Sequence, residues 1–208
     1  MGRKIGIGLM IVGLTLLGGA LALFCYNRMD AARAGQAAEQ TLLELQQAME
    51  EAAPTSDPAD VASETDIQSF DAQDATLDTI TIDGNEYIGF LSIPSLELEL
   101  PVLAQWSYPL LKTAPCRYAG APATDDLIIA AHNYARHFGR LNSLVPGDQV
   151  LFTDVNGRVF VYEVEAVDTL EATAVEEMAT GNNGLTLFTC TYGGAARVAV
   201  RCVKSAPV

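Results

Sequence analysis

Residues 5–24 form a run of 20 residues without a single charge. As a helix, such a run covers the ~30 Å hydrocarbon core of a bilayer. It removes the start of the chain from any water-soluble fold, and everything downstream must be organised around one membrane attachment. Arg3 and Lys4 precede the run, so the N-terminus is expected to stay inside and the rest of the chain to be exported. A cleaved signal peptide competes with this reading, and Ala20-Leu21-Ala22 offers a cleavage site. The apolar region of a signal peptide is usually shorter, about 7–15 residues. Cys25 follows the bulky Phe24, which argues against lipid attachment there. Residues 1–28 are therefore expected to be a cytoplasmic tail and an uncleaved signal anchor.

The charge of the chain, -14 overall, is spread unevenly. Residues 1–28 are basic, residues 29–80 carry twelve acids against the single base Arg33, and residues 81–208 are only mildly acidic. No basic patch with interleaved aromatics exists, which excludes nucleic acid as the expected partner. Residues 30–53 are rich in Ala, Gln, Glu and Leu, and Leu42, Leu45 and Met49 fall at helical spacing. Heptads are not sustained, so a solvent-exposed stalk helix without a partner is expected rather than a coiled coil. Residues 54–78 mix Pro, Ser, Thr, Asp and Ala and lack the apolar groups needed to order themselves. Together residues 29–80 read as an acidic stalk helix followed by a flexible, extended linker.

From residue 79 short apolar runs alternate with turn residues. They are YIGFLSIP, LELELPVL, DDLIIAAHN, DQVLFTD, RVFVYEVEAVDTL, LTLFTCT and RVAVRCV. Asn156-Gly157 between two of them is a hairpin signal. Phe138, Leu141 and Leu144 suggest a short helix. Seven or eight strands with little helix between them predict an all-β barrel or sandwich over residues 81–208.

Two of these runs end in reactive side chains. LTLFTC closes on Cys190 and LIIAAH closes on His132. A thiol beside an imidazole becomes a nucleophile. Arg197 opens the last strand, seven residues after Cys190 across a tight turn, and can serve the developing oxyanion. The residues alone thus suggest a thiol acyl-transfer site of Cys190, His132 and Arg197. Asn133 and Tyr134 are candidates for the groove wall. Arg201 is a rival to Arg197, because alternation sends both to one face. His137 sits in the loop NYARHFG and is expected to be a surface residue. Cys116 and Cys202 are expected to be buried free thiols, with a disulfide as the alternative. A zinc site is a weak reading, since neither a C-x-x-C nor an H-x-x-x-H pair exists. The non-enzymatic alternative is a membrane-tethered β-barrel binding module. A thiol peptidase without transfer is the other.

Several stretches resemble the sortase family. TLFTC at 186–190 fits the motif Thr-Leu-x-Thr-Cys. RVAVR at 197–201 resembles the strand that opens with the family's catalytic arginine, and IIAAHN at 128–133 its histidine strand. VPGDQVLF at 145–152 resembles the Pro-Gly-Asp segment that follows, and IGFLSIPSLELELPV the opening strand pair.

The resemblance implies a closed eight-stranded β-barrel and a cysteine transpeptidase on the outer face of the cell membrane. Such an enzyme cleaves a Leu-Pro-x-Thr-Gly-like sorting signal near the C-terminus of a surface protein. Cys190 then attacks the Thr carbonyl, His132 protonates the leaving amine, and Arg197 holds the substrate and the oxyanion. An amine acceptor, commonly the peptidoglycan cross-bridge, resolves the thioester. Thr189 helps to shape the site, and Thr191 joins Thr189, Asn133 and Tyr134 as a substrate-binding candidate. No cofactor and no metal are implied. Glu171, Glu176 and Glu177 lie where some sortases bind calcium, but three loop acids are more often solvated. Pilus-building sortases often carry an Asp-Pro-aromatic lid. Here Ala59 follows Asp57-Pro58, which argues against a lid and against a pilin polymerase. The 58 residues from His132 to Cys190 leave little room for the long insertion of class B enzymes.

Overall fold

The computed structural model describes residues 2–52, 77–174, 177 and 183–205. The Asp57-Pro58-Ala59 triplet, Glu176 and nearly all of the linker over 54–78 lie outside the described residues.

Among the described residues nine strands follow one long helix, α1 (Gly2–Ala52). They are β1 (Ile80–Ile82), β2 (Asn85–Ile93), β3 (Leu98–Leu103), β4 (Cys116–Ala119), β5 (Leu127–Ala130), β6 (Gln149–Asp154), β7 (Val159–Glu171), β8 (Leu185–Cys190) and β9 (Ala196–Lys204). Their order in the sheet is β1-β2-β3-β4-β5-β8-β9-β7-β6. A further pairing of β2 with β6, from Gly89↔Asp154 to Ser92↔Leu151, closes eight of the strands into a barrel. The short β1 pairs only with residues 85–87 of β2 and stays outside the ring.

The closure point explains Gly89. Its φ of +143 is denied to L side chains, and a Cβ there lies 1.9 Å from the Thr153 carbonyl oxygen. The two backbones come this close where Gly89 begins the pairing of β2 with β6, opposite Asp154. The hairpin signal at Asn156-Gly157 is equally local. Asn156-Gly157 joins β6 to β7, with Gly157 at φ +78. The buried Asp154 fastens the turn by accepting from the Asn156 and Arg158 amides and from Arg158 Nε at 2.6 Å.

Alternation along the strands fills the barrel. Ile88, Leu91, Ile93, Leu100, Leu127, Ile129, Phe152, Tyr162, Val164, Leu187 and Val200 form one buried cluster. Cys202 belongs to this core, and Cys116 to a second, smaller cluster. Both are free thiols, as the sequence suggests, and burial pushes each up to about 12. The FGRLNS segment forms a 3-10 helix, Phe138–Ser143, that inserts Phe138 and Leu141 into the core.

Helix α1 corrects the expectation of a stalk without a partner. Its first half is apolar and exposed, and it is the one helix among the described residues long and apolar enough to cross a membrane. Its second half lies against the barrel. Ala34, Ala38, Leu42 and Leu45 are buried, and Met49 packs on the second cluster with Leu45. These positions recur every three or four residues, the single stripe of an amphipathic helix. The spacing of Leu42, Leu45 and Met49 is thus a docking face on the barrel, not a bare helix surface. At 1.5 Å per residue the uninterrupted helix is about 75 Å long.

Candidate active site

Strand register brings the three chemically suggestive residues to one rim. β8 and β9 are antiparallel, and Cys190 stands opposite Arg197. β5 and β8 are parallel, with Ala130 level with Phe188. Continuing two residues along both strands sets His132 level with Cys190. The chain continues the pairing there, since the Ala131 amide donates to the Phe188 carbonyl at 3.2 Å. Cys190 is exposed, while its inward neighbours on β8 are buried. The strand end therefore lifts the thiol out of the core.

Thr189 and Thr191 are both built into this rim. Thr189 is only 3% exposed, and its Oγ1 donates to the Ala131 carbonyl at 2.8 Å. It ties the residue before the thiol to the residue before the histidine. Thr191 staples the β8–β9 turn. Its amide and Oγ1 both donate to the Ala196 carbonyl, and Oγ1 accepts from the Ala196 amide. Arg197 lies over the same turn, with Nη1 donating to the Gly194 and Ala196 carbonyls.

Asn133 and Tyr134 hold the His132 ring from two directions. Asn133 Nδ2 donates to the Thr191 carbonyl at 3.2 Å, which fixes the amide orientation. Its Oδ1 then faces His132 Nδ1 at 3.2 Å and acts as acceptor. That assigns the proton to Nδ1 and leaves Nε2 for chemistry. Tyr134 stacks on the ring face, with centroids 4.2 Å apart and planes within 4°. Its hydroxyl donates to Asp30 Oδ2 on α1 at 2.7 Å. Burial, then the Asp30 carboxylate, pushes the phenol up to about 12, so it stays protonated and donating.

His137 is not the surface residue expected of its loop. It is fully buried against the Ala34 backbone of α1. Burial lowers it to about 4. The Ala34 backbone pulls the other way, and repulsion from the neighbouring His132 and Arg136 adds to the lowering. The loop is buried because α1 covers it, which no local pattern in NYARHFG reveals.

Arg201 is separate from the rim. It stands opposite Thr186, four residues below the Cys190–Arg197 pair. It donates to Thr186 Oγ1 and the Glu177 carbonyl and lies 3.7 Å from Asp168. Its work is to fasten the segment before β8.

Sequence reasoning missed an aromatic row on the outer face of the sheet. Tyr108, Trp106, Tyr118 and Phe188 follow one another with ring centroids 5.5, 5.4 and 5.3 Å apart. Phe188 is two residues before Cys190, so alternation sends both to the same side. The row leads across β4 and β8 to the thiol. Its members are scattered over 80 residues, and Tyr118 lies on a strand the sequence pattern does not reveal.

Residues 91–205, a little over half of the chain, match the sortase domain family. The chain belongs to the sortase family. Its solved structural neighbours include sortase C1 from Streptococcus agalactiae, at 25% identity and TM-score 0.55, covering 62% of this chain and 72% of that one. Sortase C from Streptococcus pneumoniae aligns at 27% identity and TM-score 0.52, over 59% and 72% of the two chains. Sortase A from Corynebacterium diphtheriae shares the fold at 24% identity and TM-score 0.54, over 60% and 63%. No curated protein sequence matches this chain. As a sortase the protein is of the cysteine transpeptidase class that acts on sorting signals, and it carries an N-terminal apolar helix compatible with a single membrane span.

Proposed function

We propose that this sortase is a single-pass membrane enzyme with its barrel on the extracellular side. It cleaves a Leu-Pro-x-Thr-Gly-like signal at the C-terminus of surface proteins and transfers them to an amine of the cell wall. The observation that carries this reading is the strand register, with Cys190 opposite Arg197 and level with His132.

The chemistry follows from that geometry. The Cys190 thiol gives its proton to His132 Nε2, the thiolate attacks the Thr carbonyl carbon, and the oxyanion is met by Arg197 after its guanidinium swings from the turn carbonyls. The Thr–Gly C–N bond breaks, and His132 gives its Nε2 proton to the leaving amine. A second amine then attacks the thioester carbonyl, loses a proton to His132, and expels the thiolate. Holding Nδ1 against Asn133 keeps Nε2 aimed at the scissile bond. The aromatic row offers a rigid apolar shelf for the Leu-Pro part of the signal. The basic Arg3 and Lys4 favour the outward orientation of the barrel.

The test uses the full chain in detergent micelles, a panel of Leu-Pro-x-Thr-Gly-like peptides, and triglycine as acceptor. The expected result is an acyl-enzyme mass on wild type that is absent in Cys190→Ala, with product moving to the triglycine conjugate. Arg197→Ala is expected to slow acylation by about 10²–10³-fold, the cost of losing one oxyanion donor. No adduct with any peptide, together with a Cys190 inert to iodoacetamide, would overturn the reading in favour of a binding module. A free carboxylate product in abundant amine would point to a peptidase.

A further inference from the structure

We propose that the membrane-proximal turn of α1 is a positioning element for the His132 ring, acting through an Asp30–Tyr134–His132 stack. This rests on the role given above to His132. Tyr134 and His132 meet face to face, and the tyrosine hydroxyl donates to Asp30, 104 residues earlier in the chain. A hydrogen bond to a carboxylate is among the stronger kinds, and here it is partly buried. It fixes the tyrosine plane, and a stacked imidazole must follow that plane. Asn133 restrains the edge of the imidazole, and Tyr134 restrains its face.

The surrounding contacts agree. The loop that carries the histidine lies under α1 along its length. His137 is buried against Ala34, and Arg136 lies across Gly35, where a Cβ meets its side chain at 2.6 Å. The Arg136–Glu39 ion pair at 2.8 Å is exposed and contributes little holding power. Asp30 is thus the polar contact that joins the helix to the reactive ring. It lies six residues beyond Phe24, about 9 Å along the helix from the end of the apolar run.

The experiment is a double-mutant cycle on the full chain in detergent micelles. Asp30→Ala and Tyr134→Phe cut the same bond, so each is expected to slow single-turnover acylation about tenfold, with KM within twofold of wild type. The double variant is expected to lose no more than either single one. Asp30→Asn, which keeps an acceptor, restores most of the rate. Ring-current shifts of His132 read the stack without any chemistry. The chain has only two histidines, so selective labelling resolves them by NMR. The His132 ring signals are expected to move in Asp30→Ala and Tyr134→Phe and to return in Asp30→Asn. Unmoved signals with unchanged rates in both single variants overturn the inference. A wild type that forms no acyl-enzyme, but whose His132 signals still move with Asp30, defeats the reaction assigned to His132 and leaves the positioning contact standing.

Discussion

His132 and His137 are five residues apart on one loop and both touch the Tyr134 ring, yet their surroundings differ. His132 is at the rim, with an acceptor on Nδ1 and an aromatic ring on its face. His137 is buried under α1 against the Ala34 backbone and is held neutral. One ring is restrained by polar contacts and open to solvent. The other is sealed in by packing against the Ala34 backbone. The difference shows that a histidine acquires chemistry from what aims it, and that burial by itself makes it a core residue.

The strongest way to break this contrast is to truncate each ring. His132→Ala is expected to slow acyl transfer by about 10³-fold, within the range of a lost general acid–base, while Tm stays near wild type. His137→Ala is expected to do the reverse. It leaves a cavity costing about 3 kcal/mol, read by chemical denaturation, and changes the acylation rate far less. A His137→Ala variant as stable as wild type would show that the helix does not rely on this contact.

A change of pH probes the same contrast. The native state holds His137 down to about 4, against 6.5 for an ordinary imidazole, so the unfolded chain binds the extra proton between those values. Stability is therefore full above pH 6.5 and is lost as pH falls toward 4. His137→Leu should flatten that part of the Tm-against-pH curve. An unchanged slope assigns the acid sensitivity elsewhere. The smallest effect belongs to Asn133→Ala, which takes the acceptor from His132 Nδ1. A loss of one hydrogen bond, about 1 kcal/mol, predicts a drop in acylation of about fivefold to tenfold. No change would mean that the Tyr134 stack alone orients the ring.

Much of the barrel was legible because its long strands alternate, and the rim was legible because strand ends mark Cys190 and His132. The motif around Cys190 also carried the pairing with Arg197, since a short turn leaves two antiparallel strands little choice of register. What escaped was set by distant contacts. β4 is only CRYA, too short and too polar to read as a strand, yet it carries Tyr118 of the aromatic row. β1 has three residues and gains its place from the hairpin with β2. Leu42, Leu45 and Met49 announced a helix face but not the barrel that covers it. His137 looked like a loop residue because the helix that buries it lies a hundred residues upstream.

The unbroken run of α1 from its apolar half to its docked half has a mechanical consequence. A helix joins depth and phase: each residue added advances it by about 1.5 Å and turns it by about 100°. Two residues inserted after Phe24 would leave every barrel contact intact, raise the rim about 3 Å, and swing it more than half a turn around the helix axis. Four residues would raise it further and return it almost to its starting azimuth. With the apolar half of α1 in a bilayer, as proposed, the height of Cys190 and the direction in which the thiol faces become a single geared quantity.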